Sequence, residues 1–102
     1  MINSVCISGY LASSPRYFED RGYCLATINV PRPDDEFFYV IAYGDAARVL
    51  STARFGDLIV ASGTLRSRQY REGDVVYLRT EVRITQVQIF RQEKGFHREQ
   101  LG

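Results

Sequence analysis

Apolar and polar positions alternate along most of the chain, and the alternation predicts strands. In residues 4–11 (SVCISGYL), Val5, Ile7 and Leu11 fall on one side, with Ser4, Ser8 and Tyr10 on the other. Ser13-Ser14-Pro15 breaks the run, and Arg21-Gly22 marks a turn. A second strand over 23–30 (YCLATINV) sets Cys24, Ala26, Ile28 and Val30 on one face. The segment Pro31–Glu36 cannot continue a ladder, because its two prolines remove backbone donors, so it is read as a loop. Residues 37–43 (FFYVIAY) form a third strand. Asp45 then suits the N-cap of a short helix whose apolar positions Ala46, Val49, Leu50 and Ala53 follow the i, i+3, i+4, i+7 pattern, with Gly56 as its stop. Two long strands follow, 57–70 and 75–90, joined by a turn at Glu72-Gly73-Asp74. The polar stretch 91–102 keeps no period. The expectation is one domain over residues 1–90 and a loosely ordered C-terminal tail over 91–102.

The order β-β-β-α-β-β predicts an all-β fold of the oligonucleotide/oligosaccharide-binding (OB) type, a five-stranded barrel with one short helix between strands three and four. Strands of 14 and 16 residues are long for a chain of 102, and predict a hairpin arm projecting beyond the barrel. Successive strand side chains point to opposite faces, so parity sorts them. In strand three Phe38, Val40 and Ala42 suffice for the interior, which leaves Phe37, Tyr39, Ile41 and Tyr43 outside. In strand four Ile59, Ala61, Gly63 and Leu65 face inward, against Arg66, Arg68 and Tyr70 outward. In strand five Val76, Leu78, Val82 and Ile84 face inward, against Tyr77, Arg79, Glu81 and Arg83 outward. Aromatic rings therefore interleave with guanidinium groups on the outer surface. Unpaired bases stack on such rings while Arg offsets phosphate charge. An oligomer interface favours the same residue types, and the pattern leaves both readings open. The run Arg66-Ser-Arg-Gln-Tyr-Arg71, with three mutually repelling cations, tilts the balance toward nucleic acid.

Composition changes this picture little and excludes several alternatives. Thirteen basic residues against twelve acidic ones give a net charge of +1, so bulk charge announces no polyanionic partner. The basic excess lies in residues 58–102, and twelve of the thirteen cations are Arg, the better residue for bidentate phosphate contacts and for stacking. No apolar run approaches the ~20 residues of a membrane helix. The N-terminus lacks the pattern of a secretory signal. Two cysteines, Cys6 and Cys24, make neither a disulfide framework nor a four-ligand zinc site. In their apolar stretches they read as reduced core thiols, which fits a reducing, cytoplasmic compartment. His97, the sole histidine, lies in the polar tail, so a His-dependent nucleophile is not expected. Asp34-Asp35-Glu36 reads as a solvated turn. No metal, cofactor, catalytic site or membrane partner is expected.

Several segments resemble the bacterial single-stranded-DNA-binding (SSB) protein family. The opening strand Val5-Cys6-Ile7-Ser8-Gly9-Tyr10-Leu11 with Pro15 is similar to the family's first strand, and Gly22 to Val30 to its second. Phe37-Phe38-Tyr39-Val40-Ile41-Ala42-Tyr43-Gly44 resembles its aromatic-His-Arg-Val-Val-x-Phe-Gly segment. Gly63-x-Leu65-Arg66-x-Arg68-x-Tyr70 resembles its Gly-x-Leu-Arg-Thr-Arg-x-Trp motif, and Leu78-Arg79-Thr80-Glu81-Val82 its Tyr-Thr-Thr-Glu-Val. A tailless chain of this length is similar also to primosomal replication protein n, a dimeric relative. By position, the resemblance implies base stacking on Phe37, Tyr43 and Tyr70 and backbone contacts from Arg66 and Arg68. The chain departs from the family in having no Trp, in carrying Phe38 and Tyr39 where the family has His and Arg, and in its short acidic loop. The family's Gly/Pro/Gln-rich linker and acidic tip are also absent, so replication enzymes are not expected to dock through such a tip.

The resulting expectation is a non-catalytic, sequence-tolerant binder of single-stranded DNA in replication, recombination or repair, acting as a homodimer or homotetramer. Phe37, Tyr43 and Tyr70 would stack on bases, and Arg66, Arg68, Arg71 and Arg79 would offset phosphate charge. Tyr10, Tyr39 and Tyr77 are further candidates. Single-stranded RNA would use the same platform. The alternative is an OB-fold protein-interaction or primosomal scaffold with weak or no DNA binding.

Overall fold

A computed structural model describes residues 1–92. Six strands and one helix follow in the order β1 (Val5–Leu11), β2 (Arg16–Phe18), β3 (Tyr23–Val30), β4 (Glu36–Tyr43), α1 (Gly44–Ser51), β5 (Leu58–Glu72) and β6 (Val75–Phe90). Ladders link β1 to β5, β5 to β6, β6 to β4 and β4 to β3, and a short β1–β3 pairing at Tyr10–Asn29 and Leu11–Ile28 closes a ring of five strands. All contacts are antiparallel except β4–β6, where Val40–Ala42 run parallel to Val82–Ile84. This is the expected OB barrel. The sixth strand, β2, is an addition: its three residues pair with Tyr23–Leu25 on the outer edge of β3, a run too short for alternation to reveal.

The barrel interior holds Leu11, Cys24, Ala26, Ile28, Val40, Ala42, Ile59, Ala61, Val82 and Ile84, and α1 adds Ala46, Ala47 and Leu50 to the same cluster. Two glycines permit the tight geometry. A Cβ on Gly9 would overlap the Asn29 carbonyl oxygen where β1 meets β3, and one on Gly63 would overlap the Arg83 carbonyl. At Gly63 the β5–β6 register shifts, leaving Thr85 as an extra residue in β6. Its hydroxyl donates to the Ser62 carbonyl at 3.2 Å. This bulge resets the alternation, so that Val82 and Ile84 face inward before it, and Val87 and Ile89 pack against the core after it.

Several expectations need correction. Asp45 does not cap α1; it lies in the first turn and pairs with Arg48, while Tyr43 holds the N-cap position without a side-chain hydrogen bond. The helix ends at Ser51 rather than near Gly56. Val49 is exposed and Ala47 takes its place in the core, because the short helix lies over the barrel end on a face rotated from the predicted stripe. Cys24 is a core thiol, its pKa raised by desolvation, but Cys6 points outward and is exposed. Leu65, Val76 and Leu78 have the parity of core residues yet lie exposed, since β5 and β6 run past the barrel and no core exists beneath them. The tail, with Lys94 and His97, extends beyond the described residues.

The overrun is the predicted arm. Every residue from Leu65 to Thr80 is exposed. Eight paired residues at ~3.3 Å each add about 25 Å, which accounts for a long axis of 63 Å against 36 and 30 Å across.

Candidate nucleic-acid interface

Outward positions of β4 carry Phe37, Tyr39, Ile41 and Tyr43, as parity predicts. Phe37 and Tyr39 are 59% and 71% exposed. Ile41 is instead buried on this outer face, in register with Leu25 on β3 and Arg83 on β6. Tyr43 is half-buried. The Arg83 guanidinium lies 4.7 Å from its ring centroid, and Tyr23 packs against it at 6.1 Å. The row continues outward, with Phe18 stacked on Tyr23 at 4.7 Å and Arg16 lying 5.5 Å from the Phe18 ring. Cross-strand register produces this ladder, because Phe18, Tyr23 and Tyr43 stand directly opposite one another on β2, β3 and β4. Sequence reasoning missed Phe18 and Tyr23. Recognising them required the β2–β3 pairing, for which the Arg21-Gly22 turn was the available signal.

On the arm, residues directly opposed across β5 and β6 share a face. One face carries Arg66 opposite Glu81, Arg68 opposite Arg79, and Tyr70 opposite Tyr77. The two Tyr rings stack at 5.2 Å and 16°. Two guanidinium groups facing each other are destabilising without an anion between them. Glu81 supplies part of the compensation, with Oε1 3.1 Å from Arg68 Nε, yet the pair is out of line and this buried oxygen accepts no hydrogen bond. Arg71 is separated from these groups: it stands opposite Val76 on the other face, with Leu65 and Leu78. Tyr10 sits on β1 opposite Asn29, which in turn stands opposite Phe37. Asn29 donates to Asp35 Oδ1 at 2.6 Å and to the Glu36 carbonyl at 3.2 Å, holding the acidic loop beside Phe37.

The β4 surface and the arm meet at one place. The parallel ladder begins at Val40 and Val82, so β6 parts from β4 just before it. The gap leaves two hollows, one of about 290 Å³ bordered by Leu25, Tyr39, Arg79 and Glu81, the other of about 240 Å³ bordered by Phe37, Tyr39, Leu65 and Glu81. Tyr39 and Glu81 border both. A larger hollow of about 600 Å³ lies elsewhere, over β1, β5 and β6, lined by Ser, Gln, Cys and aliphatic residues. Among the described residues no three His, Cys, Asp or Glu side chains are placed to share a metal ion.

One polar lock secures the barrel away from these surfaces. Asp57 is buried, and its Oδ2 accepts from Arg91 Nη2 at 2.7 Å and from the Arg54 backbone N–H at 2.8 Å, while Oδ1 accepts from Arg91 Nε at 3.1 Å. The bidentate guanidinium holds the Asp57 carboxyl below its ordinary value. The lock ties the end of β6 to the α1–β5 connection.

The architecture is that of an OB domain, and solved SSB domains share it. The chain is similar to the SSB domain of a Synechococcus protein (23% identity, TM-score 0.65, covering 85% of this chain and 94% of that one). It is also similar to a Plasmodium falciparum SSB in complex with single-stranded DNA (12% identity, TM-score 0.75, covering 89% and 96%). At these identities the likeness is one of fold. No protein-family model and no curated protein sequence matches the chain.

Proposed function

We propose that the protein is a non-catalytic binder of single-stranded DNA, using the outward face of β4 and the adjoining face of the arm. The observation that carries this reading is their continuity. From Phe37 and Tyr39, through Arg79 at the gap, to Arg68, Tyr70 and Tyr77, exposed rings alternate with guanidinium groups along one strip. Rings stack on bases of any kind, and the cations offset phosphate charge, so the binding is broadly tolerant of sequence. The Plasmodium domain of the same fold is solved with single-stranded DNA, which supports the reading. Tyr43 contributes less than Tyr39, since Arg83 already covers one of its faces. Arg71 and Tyr10 play peripheral roles, lying off the strip.

A homodimer or homotetramer in the cytoplasm completes the proposal. β1 offers Val5–Gly9 as an edge not paired to β3. The outer surface over β1, β5 and β6 exposes Cys6, Ser8, Tyr10, Val60 and Phe90 without a charge among them. The test is retardation of a thymidylate oligomer of about 35 nucleotides at several salt concentrations, with sedimentation for assembly state. Log affinity should fall linearly with log salt, at about −0.7 per neutralised phosphate. A protein-interaction scaffold would give no salt-sensitive retardation.

A further inference from the structure

We propose that the hollow between β4 and the root of the arm is a base slot that prefers guanine, with Glu81 as the selecting group; this rests on the single-strand reading above. Three features of the 290 Å³ hollow have the shape of a base site. The Tyr39 ring, 71% exposed, offers a stacking plane on the β4 side. Arg79 offers a second planar group from β6, and Leu25 an apolar floor. The fourth feature is chemical. Glu81 lies in the wall, its side chain 12% exposed, with a buried oxygen that accepts no hydrogen bond.

A carboxylate among Arg66, Arg68, Arg79 and Arg83 invites the simpler role of internal counter-ion. A counter-ion of that kind would be hydrogen-bonded by its guanidinium. Here Arg68 Nε stands 3.1 Å away but out of line, so the acceptor stays unsatisfied at a cost that a suitable donor would remove. An ionised carboxylate only accepts hydrogen bonds, and two parallel ones suit its two oxygens once the side chain turns to bring the covered Oε1 to the hollow. Guanine alone among the four DNA bases presents two adjacent donors, N1–H and the 2-amino group, on its pairing edge. Thymine has one N–H between two carbonyls. In cytosine and adenine the amino group lies beside a ring nitrogen whose lone pair would face the carboxylate. Glu81 therefore adds a preference for guanine at one position of an otherwise tolerant strip.

The experiment is a fluorescence-anisotropy titration of the full chain with three labelled oligomers of equal length: oligo-dT, alternating thymine–guanine, and alternating thymine–hypoxanthine, whose base lacks the 2-amino group. Lithium salt suppresses guanine quartets. The wild type should bind the thymine–guanine oligomer about tenfold more tightly than oligo-dT, with most of the gain lost on the hypoxanthine oligomer. Glu81→Gln should bring the guanine and thymine affinities within about twofold of each other. Equal wild-type affinity for guanine and thymine oligomers overturns the slot, as does an undiminished preference in Glu81→Gln. The hypoxanthine arm decides the matter in the wild type alone should the variant fold poorly. Failure to bind any of the three oligomers would instead overturn the single-strand reading itself.

Discussion

The two halves of the β5–β6 ladder are made of the same strands and serve opposite ends. In the barrel half Ile59, Ala61, Val82 and Ile84 are buried, and each side chain contributes to one core. In the arm half Leu65, Val76 and Leu78 continue the same parity with 48–70% of their surface exposed. A two-stranded ribbon without a core is marginal in water. The arm is held by its continuity with the barrel and by cross-strand pairs such as Tyr70–Tyr77. Its side chains pack on no core and lie open to solvent, whereas the inward ones of the barrel do not.

The contrast breaks most readily in the barrel. Leu50→Ala, beneath the helix, should cost about 2–5 kcal/mol in denaturant unfolding, with a cooperative loss of the whole fold. Asp57→Asn should cost roughly 1–3 kcal/mol by removing a buried, charge-assisted pair. The same lock gives an acid dependence. Because the native Asp57 carboxyl lies below its ordinary value of 3.8, the unfolded chain binds the proton more readily. The stabilisation is complete above that ordinary value and is lost as the pH falls through the depressed native one. Unfolding midpoints of wild type and Asp57→Asn should therefore converge in acid, and a constant gap across pH would refute the lock.

On the arm the effects move from stability to binding. Tyr70→Ala should weaken oligo-dT binding by about 1–3 kcal/mol with an unchanged melting temperature. A variant that melts early would place Tyr70 with the barrel. Arg66→Ala should flatten the salt slope by about 0.7, and Arg71→Ala should do so less, since it lies on the other face. Leu78→Ser is the smallest case, within about 0.5 kcal/mol in stability, despite replacing a leucine at a core-parity position.

Alternation made the barrel legible. Strand order, the single helix, the long hairpin and the outward placement of Phe37, Tyr39, Arg66, Arg68 and Tyr70 were all readable, because each follows from a period of two and a few turn residues. What parity cannot show is where the core ends. Leu65, Val76 and Leu78 look interior by pattern, and only the length of the barrel decides otherwise. Cys6 is a different case: parity sets it with Ser4, Ser8 and Tyr10 on the outward side, and the apolar residues flanking it in sequence masked that placement. Long-range pairings were the other blind spot. The Tyr23–Tyr43 step of the aromatic ladder, the Asp57–Arg91 lock and the setting of Glu81 at the gap each join residues distant in sequence, and no local pattern marks them; only the Phe18–Tyr23 step had a local signal, the Arg21-Gly22 turn.

Thr85 has a consequence for how such a surface can change. Interior positions on β6 lie at 82 and 84 on one side of it and at 87 and 89 on the other, an odd step that only an extra residue can bridge. Delete it, and either Val82 and Ile84 rotate into solvent while Arg83 turns inward, or the far end of the strand does the reverse. The direction in which the ribbon displays its rings is thus geared to the barrel's own packing by a single tooth. Substitutions can retune the display one side chain at a time, but a one-residue insertion or deletion there cannot re-aim it without dismantling the interior.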